Sequence, residues 1–258
     1  MNRLNKAMLM IALTIIGLMG AKAQDYTMDV SNPSSKTLHI KEVNKVSVEA
    51  YDGNQIQIES SSHGERPERA EGLKPLSARG EDNTNLGLHV STDGDMITIF
   101  QTARREQGLF KIRVPKGMKV KIEHTGQWEG GKIEVYNVST ELEVSGRYNS
   151  VYLEDITGPA LVNTVYGSVE AKFSALSQSG PTSLVSVYST VDVTLPETSK
   201  ANVTVRTPYG EAYSDLNIEF SKSDEMKKIS SPVKGTLNGG GVDLELRASY
   251  GNVYLRKK

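Results

Sequence analysis

The sequence predicts an all-β fold. The preferred architecture is a β-solenoid, similar to a single-stranded β-helix, that is built from repeats about 20 residues long. From Leu38 onward, apolar residues alternate with polar ones over short segments such as Phe110-Lys111-Ile112-Arg113-Val114. This is the period of a strand with one buried face. Such segments recur about every 10 residues, separated by Gly, Asn, Ser or Pro. A β-sandwich is the alternative, because it has the same strand spacing.

A tyrosine signature repeats along the second half of the chain. It consists of tyrosine, then Gly, Ser or Asn, then any residue, then Val or Ala, and it begins at Tyr148, Tyr166, Tyr188, Tyr209 and Tyr250. Successive tyrosines are 18, 22, 21 and 41 residues apart, and the last interval predicts two repeats of which one has lost its marker. Each tyrosine would lie at a corner between strands, where Gly167, Gly210 and Gly251 would supply a positive φ.

The chain divides into a signal peptide (1–23), an N-terminal extension (24–36) and a β-solenoid domain (37–258). Within this domain, 37–108 is less regular and 109–258 carries the regular repeats. Residues 51–54 and 92–95 contain Asp-Gly and predict hairpin turns. Segments 24–45 and 60–108 would cap or flank one end of the repeats and residues 256–258 the other, because open ends present unpaired strand edges.

The first residues predict export. Arg3 and Lys6 precede an apolar run over residues 7–19, and Ala21 and Ala23 fit a signal-peptidase site before Gln24. The run is shorter than the roughly 20 residues that span a bilayer. We therefore expect cleavage between Ala23 and Gln24, no transmembrane anchor afterwards, and a location in the periplasm or at the cell surface. An uncleaved N-terminal anchor is the alternative.

Charge and composition exclude some classes of binding partner and some kinds of site. Loss of Arg3, Lys6 and Lys22 with the signal peptide changes the formal charge from −1 to −4, and no basic stripe remains, so nucleic acid is not an expected partner. The chain has no cysteine. The sequence therefore predicts no disulfide, no thiolate site and no lipid attachment at the cleavage site.

The remaining residues predict neither a catalytic site nor a cofactor. His39, His63, His89 and His124 are isolated in the sequence, so we predict no metal site. The residues Asp155, Asp192, Asp215 and Asp243 are scattered, whereas glycoside hydrolysis needs two carboxylates at a defined separation. A solvated face is the preferred interpretation, and a polysaccharide-active enzyme on a β-helix is the alternative.

The candidate binding residues are aromatic. If the five signature tyrosines align along one corner, they form a ladder that suits sugar rings and protein partners alike. The preferred interpretation is that they pack the corners and hydrogen-bond their hydroxyls to neighbouring repeats. Trp128 lies in a glycine-rich turn and is either a contact residue or a cover over the end of the core.

The C-terminal stretch resembles a known family. Residues 237–241, 244–246 and 250–256, together with 72–76 and 80–88, are similar to the secreted bacterial β-strand-repeat proteins named putative adhesins, which are related to the head GIN domain. The resemblance extends, with gaps, over about residues 37–258, and it implies a solenoid fold and export in Gram-negative bacteria. We expect a non-enzymatic binding protein that engages a glycan or an envelope protein through an extended face. A purely structural periplasmic protein is a further alternative.

Overall fold

The fold is all-β, as predicted. The computed structural model describes residues 25–61, 69, 72–73, 77–102, 108–126, 130–220 and 232–258. Over these residues it contains 21 β-strands in two large mixed sheets and one short 3-10 helix, Pro33–Ser35. The predicted signal peptide lies outside the described residues. In the described ranges, no helix is long and apolar enough to cross a membrane.

Sheet A has ten strands in the described part of the chain. From edge to edge they are β1 (Asp25–Asp29), β4 (Gln55–Ser60), β7 (Phe110–Pro115), β3 (Val46–Tyr51), β9 (Lys132–Tyr136), β11 (Ser150–Ile156), β13 (Val169–Phe173), β15 (Val191–Leu195), β21 (Val253–Lys257) and β17 (Ala212–Ser214).

Sheet B has eleven strands over the same residues. From edge to edge they are β18 (Ile218–Phe220), β19 (Val233–Leu237), β16 (Ala201–Arg206), β20 (Val242–Ala248), β14 (Thr182–Ser186), β12 (Ala160–Thr164), β10 (Leu142–Gly146), β8 (Lys119–His124), β2 (Thr37–Lys41), β6 (Met96–Gln101) and β5 (Leu88–Asp93).

Alternation along the strands places one face of each sheet in a shared core. In β8, Val120 and Ile122 are buried while Lys119 and Lys121 point outward. The inward side chains of both sheets form a hydrophobic cluster that extends from Val30 to Leu255. Full burial of a side chain of this size is worth about 1.5–3 kcal/mol. This burial holds the two sheets together.

Between β8 and β15 the chain changes sheet with every strand. The even-numbered strands lie in sheet B and the odd-numbered strands in sheet A. From β10 onward, each strand pairs in parallel with the strand two places earlier: Val144 lies opposite both Ile122 and Val162, and Leu153 lies opposite both Val135 and Ala171. The repeating unit is therefore one strand of sheet B followed by one strand of sheet A, which we call a coil.

The C-terminal coil, β20 and β21, lies inside the stack. β20 is between β14 and β16, and β21 is between β15 and β17. After β17 the chain forms β18 and β19, which pair antiparallel with each other and extend sheet B beyond β16, and then it returns inward. The 41-residue interval after Tyr209 contains this detour, so the prediction of a lost marker is wrong. The predicted capping role of residues 256–258 is also wrong, because β21 has a strand on each side.

The N-terminal coil, β2 and β3, is inserted in the same way. β2 lies between β6 and β8, and β3 lies between β7 and β9. The hairpin predicted at residues 51–54 is wrong, because β7 separates β3 from β4 and pairs with both. A loop of three residues is long enough to span two strand spacings of about 4.8 Å. The hairpin predicted at residues 92–95 is confirmed: β5 and β6 are antiparallel, and Gly94 has a φ of 57°.

A glycine-rich loop makes the C-terminal insertion geometrically feasible. Residues 238–241 pass over the start of β16 to join β19 to β20, which lie on its two sides. The amide of Asn238 donates to the backbone oxygens of Glu197 and Ser199, both at 2.8 Å. A Cβ on Gly241 would lie 2.9 Å from the backbone oxygen of Lys200. The close crossing of two backbones therefore requires glycine at this position.

Candidate functional site: an exposed tyrosine ladder

The five signature tyrosines form one continuous stack. Their spatial order is Tyr148, Tyr166, Tyr188, Tyr250 and Tyr209. Neighbouring ring centroids are 4.8–5.0 Å apart, and neighbouring ring planes are 7–8° from parallel. We call these five side chains the tyrosine ladder. It is about 20 Å long, because each step equals one strand spacing.

Four of the five ladder rings are exposed to solvent, and Tyr148, at one end of the ladder, is half-buried. The exposed fractions are 48% for Tyr166, 52% for Tyr188, 54% for Tyr250 and 74% for Tyr209. Within the described part of the chain, none of the five hydroxyls forms a hydrogen bond with the protein. The preferred sequence interpretation, hydroxyls bonded to neighbouring repeats, is therefore wrong, because the rings stack on one another and their hydroxyls face water.

Backbone hydrogen bonds between coils set the spacing of the rings. The amide of Tyr166 donates to the oxygen of Arg147, that of Tyr188 to Val165, and that of Tyr250 to Val187, at 2.8–2.9 Å. The amide of Tyr209 donates to the oxygen of Ser249 at 3.1 Å. Each of these four tyrosines is thus bonded at the same point of the neighbouring coil, and the side chains repeat with the backbone.

Buried polar side chains support the corner beneath the rings. Thr164 is fully buried, and its hydroxyl donates to the oxygen of Asn149 at 2.9 Å and accepts from the amide of Gly167 at 3.3 Å. Ser186 repeats this arrangement one coil further on, donating to the oxygen of Gly167 at 2.8 Å and accepting from the amide of Ser189 at 3.1 Å. These bonds satisfy buried groups that would otherwise destabilise the corner.

The corner glycines have a different role from the one predicted. Gly167, Gly210 and Gly251 are not among the residues with a positive φ. A Cβ would lie 1.8 Å from the oxygen of Asn149 at Gly167, 2.0 Å from that of Gly251 at Gly210, and 2.2 Å from that of Ser189 at Gly251. The prediction of positive φ is wrong, and the physical reason for glycine is close approach to the next coil.

The ladder presents a specific surface. The faces of the three inner rings are covered by their neighbours, so these rings offer their edges and hydroxyls. The end rings differ, because the guanidinium of Arg147 lies 5.6 Å from the centroid of the Tyr148 ring, whereas Tyr209 stacks only on Tyr250 within the described chain. The result is a row of five amphipathic groups at a constant repeat.

A second aromatic region lies on the outer face of sheet A. The hydroxyl of Tyr152 donates to Glu154 and accepts from Lys172 at 2.9 Å. Hydrogen bonds with Tyr152 and then with Glu170 raise the pKa of Lys172 above its ordinary value. Tyr152 also has the ammonium of Lys132 5.2 Å from its ring centroid. Because these groups satisfy one another, we assign this region to stability.

These tyrosines of sheet A are not marked by the repeated signature in the sequence. Tyr136 packs against Tyr152, and Tyr213 stacks on Tyr254 with centroids 5.5 Å apart. Their outward orientation could have been predicted from segments such as Val151-Tyr152-Leu153, in which the alternation of a strand directs the central residue away from the core.

The four aspartates singled out in the sequence contact nearby polar groups. Asp192 accepts two hydrogen bonds from the guanidinium of Arg256, at 2.7 and 2.9 Å. Asp155 pairs with Lys258 at 3.4 Å, and Asp215 accepts from the amide of Lys257 at 2.7 Å. Three of the four therefore bind residues at the C-terminal end of the chain, where they hold the inserted coil. The fourth, Asp243, accepts a hydrogen bond from the side-chain amide of Asn202 at 3.2 Å.

Other predicted site residues are placed as follows. Trp128 and His63 lie outside the described residues. His39 and Glu123 form a pair with 2.8 Å between Nε2 and Oε2. Over the described part of the chain, no group of three or more histidine or carboxylate side chains is arranged to hold a metal ion.

No family model matches this chain, and no curated protein matches it. Among solved structures, the chain is similar to a putative cell adhesion protein from Clostridium sporogenes ATCC 15579, with 12% identity, a TM-score of 0.44, and coverage of 92% of this chain and 100% of that chain. It is also similar to a putative adhesin (BF0245) from Bacteroides fragilis NCTC 9343, with 11% identity, a TM-score of 0.43, and coverage of 92% and 98%. A putative adhesin from Parabacteroides merdae ATCC 43184 matches at 7% identity with a TM-score of 0.23, and coverage of 92% and 97%. These identities are too low to transfer a function, which has to be argued from the surface of this chain.

Proposed function

We propose that the protein is an exported, non-enzymatic binding protein of the cell envelope that engages an extended glycan or protein along the tyrosine ladder. The observation that carries the proposal is the exposure of Tyr166, Tyr188, Tyr250 and Tyr209 in one row. Tyrosine is an effective contact residue because it combines a large apolar edge with a hydrogen-bonding hydroxyl. A row with a constant repeat suits a polymer that lies along it.

The proposal includes a β-solenoid architecture. Its support is the chain path from β8 to β15, in which each coil is stacked in parallel on the preceding one. Stacked coils give a rigid surface, so the ladder would be preformed and would lose little conformational entropy on binding. We place the protein in the periplasm or at the surface of a Gram-negative bacterium, as a relative of the adhesins related to the head GIN domain.

A binding assay tests this proposal. Purified residues 24–258 are applied to immobilised neutral and anionic polysaccharides and to immobilised matrix proteins, and both retention and shortening of the polysaccharide are measured. The triple variant Tyr166→Ala, Tyr188→Ala, Tyr250→Ala is compared with Tyr213→Ala, which removes a tyrosine of 49% exposure outside the ladder. Circular dichroism verifies that each variant is folded.

We expect retention on at least one probe, loss of more than tenfold in affinity for the triple variant, and no change for Tyr213→Ala. Retention by the triple variant equal to that of the original chain would overturn the role of the ladder. Shortening of a polysaccharide would overturn the non-enzymatic assignment in favour of a polysaccharide-active enzyme.

A further inference from the structure

The outer face of sheet B has a shallow depression of about 430 Å³ next to the tyrosine ladder. Its floor is formed by outward side chains of three adjacent strands, β10, β12 and β14. One row contains Leu161 and Ser183, and the next contains Ser145, Asn163 and Val185. The longer side chains of Lys121 and Glu123 on the flanking strand β8, and of Glu143 on β10, border the depression on one side.

The floor of the depression has both kinds of group that bind sugars, namely polar groups for hydrogen bonds and an apolar side chain for packing. Ser145, Asn163 and Ser183 form no hydrogen bond with any described residue of the protein, so their polar groups face solvent with unused capacity. Leu161 is 43% exposed among them and provides an apolar contact. Alternating hydroxyls and C–H groups are what a sugar ring presents to such a surface.

The charges at the border of the depression are already paired. Lys121 contacts Glu123 and Glu143, each at 3.2 Å, and His39 contacts Glu123 at 2.8 Å. On the other side of the floor, Arg247 lies opposite Val185 and donates to the Ser249 hydroxyl at 3.3 Å. Lys121 and Arg247 together balance Glu123 and Glu143, so these four groups carry no net formal charge. This charge distribution favours an uncharged ligand over an acidic polysaccharide.

The depression continues into the ladder. In β12, Asn163 is followed by Thr164, which points inward, and then by Val165 and Tyr166 at the corner. The same succession leads from Val185 to Tyr188 in the next coil. Three residues of chain span at most about 10 Å, so the floor of the depression and the ladder are separated by no more than this distance along each coil.

We propose that this depression and the adjoining ladder together form a binding site for a neutral glycan. The inference rests on the proposed binding function and specifies its ligand class. The floor hydrogen-bonds sugar hydroxyls through Ser145, Asn163 and Ser183, Leu161 contacts a sugar face, and the ladder extends the contact along the polymer.

Two variants of the floor test the site. Leu161→Glu introduces a carboxylate directly opposite Glu143 at an exposed position, and Asn163→Ala removes the exposed amide. Thr204→Ala is the matched control, because Thr204 also lies on the outer face of sheet B but outside the depression. Affinity for a neutral glucan, mannan and galactan and for anionic alginate is measured at low and high salt.

We expect a neutral polysaccharide to bind with little dependence on salt, a loss of about tenfold for Leu161→Glu, a loss of about threefold or more for Asn163→Ala, and no change for Thr204→Ala. Binding that requires the ladder but is unaffected by both floor variants would overturn the site while the proposed function stands. Exclusive binding of alginate or of a protein would also overturn the neutral-glycan site. Absence of binding to every probe would overturn both proposals.

Discussion

Tyr188 stacks on Tyr250 with 5.0 Å between their ring centroids, although Tyr209 lies between them in the sequence. This contact exists because the last coil of the chain is inserted between two coils that precede it in the sequence. The completeness of the ladder therefore depends on the C-terminal strands. The proposed binding along the ladder would therefore require an intact C-terminal coil, because Tyr250 stacks on both Tyr188 and Tyr209.

The inserted coil should be essential for stability. Leu246 is fully buried and lies opposite both Leu184 and Val205, so Leu246→Ala leaves a cavity inside the stack. We expect the free energy of unfolding, measured by denaturant titration, to fall by about 2–5 kcal/mol. Arg247→Ala, at the next and outward-facing position, should change it by less than about 0.5 kcal/mol. If Leu246→Ala lowered the free energy of unfolding by less than about 1 kcal/mol, the inserted coil would contribute little to the stability of the stack.

The corner glycines should not tolerate a methyl group. Gly167→Ala brings a Cβ to 1.8 Å from the backbone oxygen of Asn149, and the two coils must separate to accommodate it. We expect a loss of about 1–3 kcal/mol in the free energy of unfolding and a lower melting temperature. Gly130→Ala is the control, since its Cβ would lie 3.6 Å from the nearest atom, the backbone oxygen of Tyr148. Equal effects of the two substitutions would contradict the close-approach explanation.

The contributions of ring stacking and of the hydroxyl to stability can be measured separately at Tyr188. Tyr188→Ala removes contacts with Tyr166 and Tyr250, and at about 0.5–1.5 kcal/mol for each aromatic pair we expect a loss of about 1–3 kcal/mol in stability. Tyr188→Phe keeps both contacts and should be neutral within about 0.5 kcal/mol, because the hydroxyl faces water. The check is thermal unfolding of both variants. A comparable loss in Tyr188→Phe would show that the hydroxyl has a structural partner.

The Glu123 carboxyl should make stability depend on pH. Burial opposes its ionisation, but hydrogen bonds from His39 and Lys121 outweigh burial and hold the pKa of Glu123 below its ordinary value of 4.5. A carboxyl with a lowered pKa stabilises the fold above its unfolded-state pKa, and that contribution is lost as pH falls through the folded-state value. The original chain should therefore exceed Glu123→Gln in stability at neutral pH, and the difference should shrink below about pH 4.5. A constant difference between pH 7 and pH 3 would refute this.

Export can be checked directly. The Ala21 and Ala23 pattern predicts that the protein recovered from the producing cell begins at Gln24. N-terminal sequencing or the intact mass measures this. Recovery of a chain that retains residues 1–23 in the membrane fraction would favour the uncleaved anchor instead.

Local pattern in the sequence was sufficient to predict the strongly alternating strands, such as β7, but not the short strands β17 and β18, which have no buried face. The alternation in segments such as Phe110-Lys111-Ile112 decides which side chain is buried, because successive residues of a strand face opposite sides of a sheet. The tyrosine signature likewise identified every ring of the ladder. Its exposure could not be predicted, because a corner residue has no alternation to indicate whether it points inward.

The sequence by itself determined that the chain forms strands with one buried face, and that Tyr148, Tyr166, Tyr188, Tyr209 and Tyr250 occupy equivalent corners. Only the tertiary structure decided the order in which the coils stack, and with it the position of Tyr250 between Tyr188 and Tyr209. The physical reason is that parallel coils with similar Val, Leu and Ile faces can pair in many orders. The order is selected by the loops that cross β7 and β16 and by the fit of the whole core.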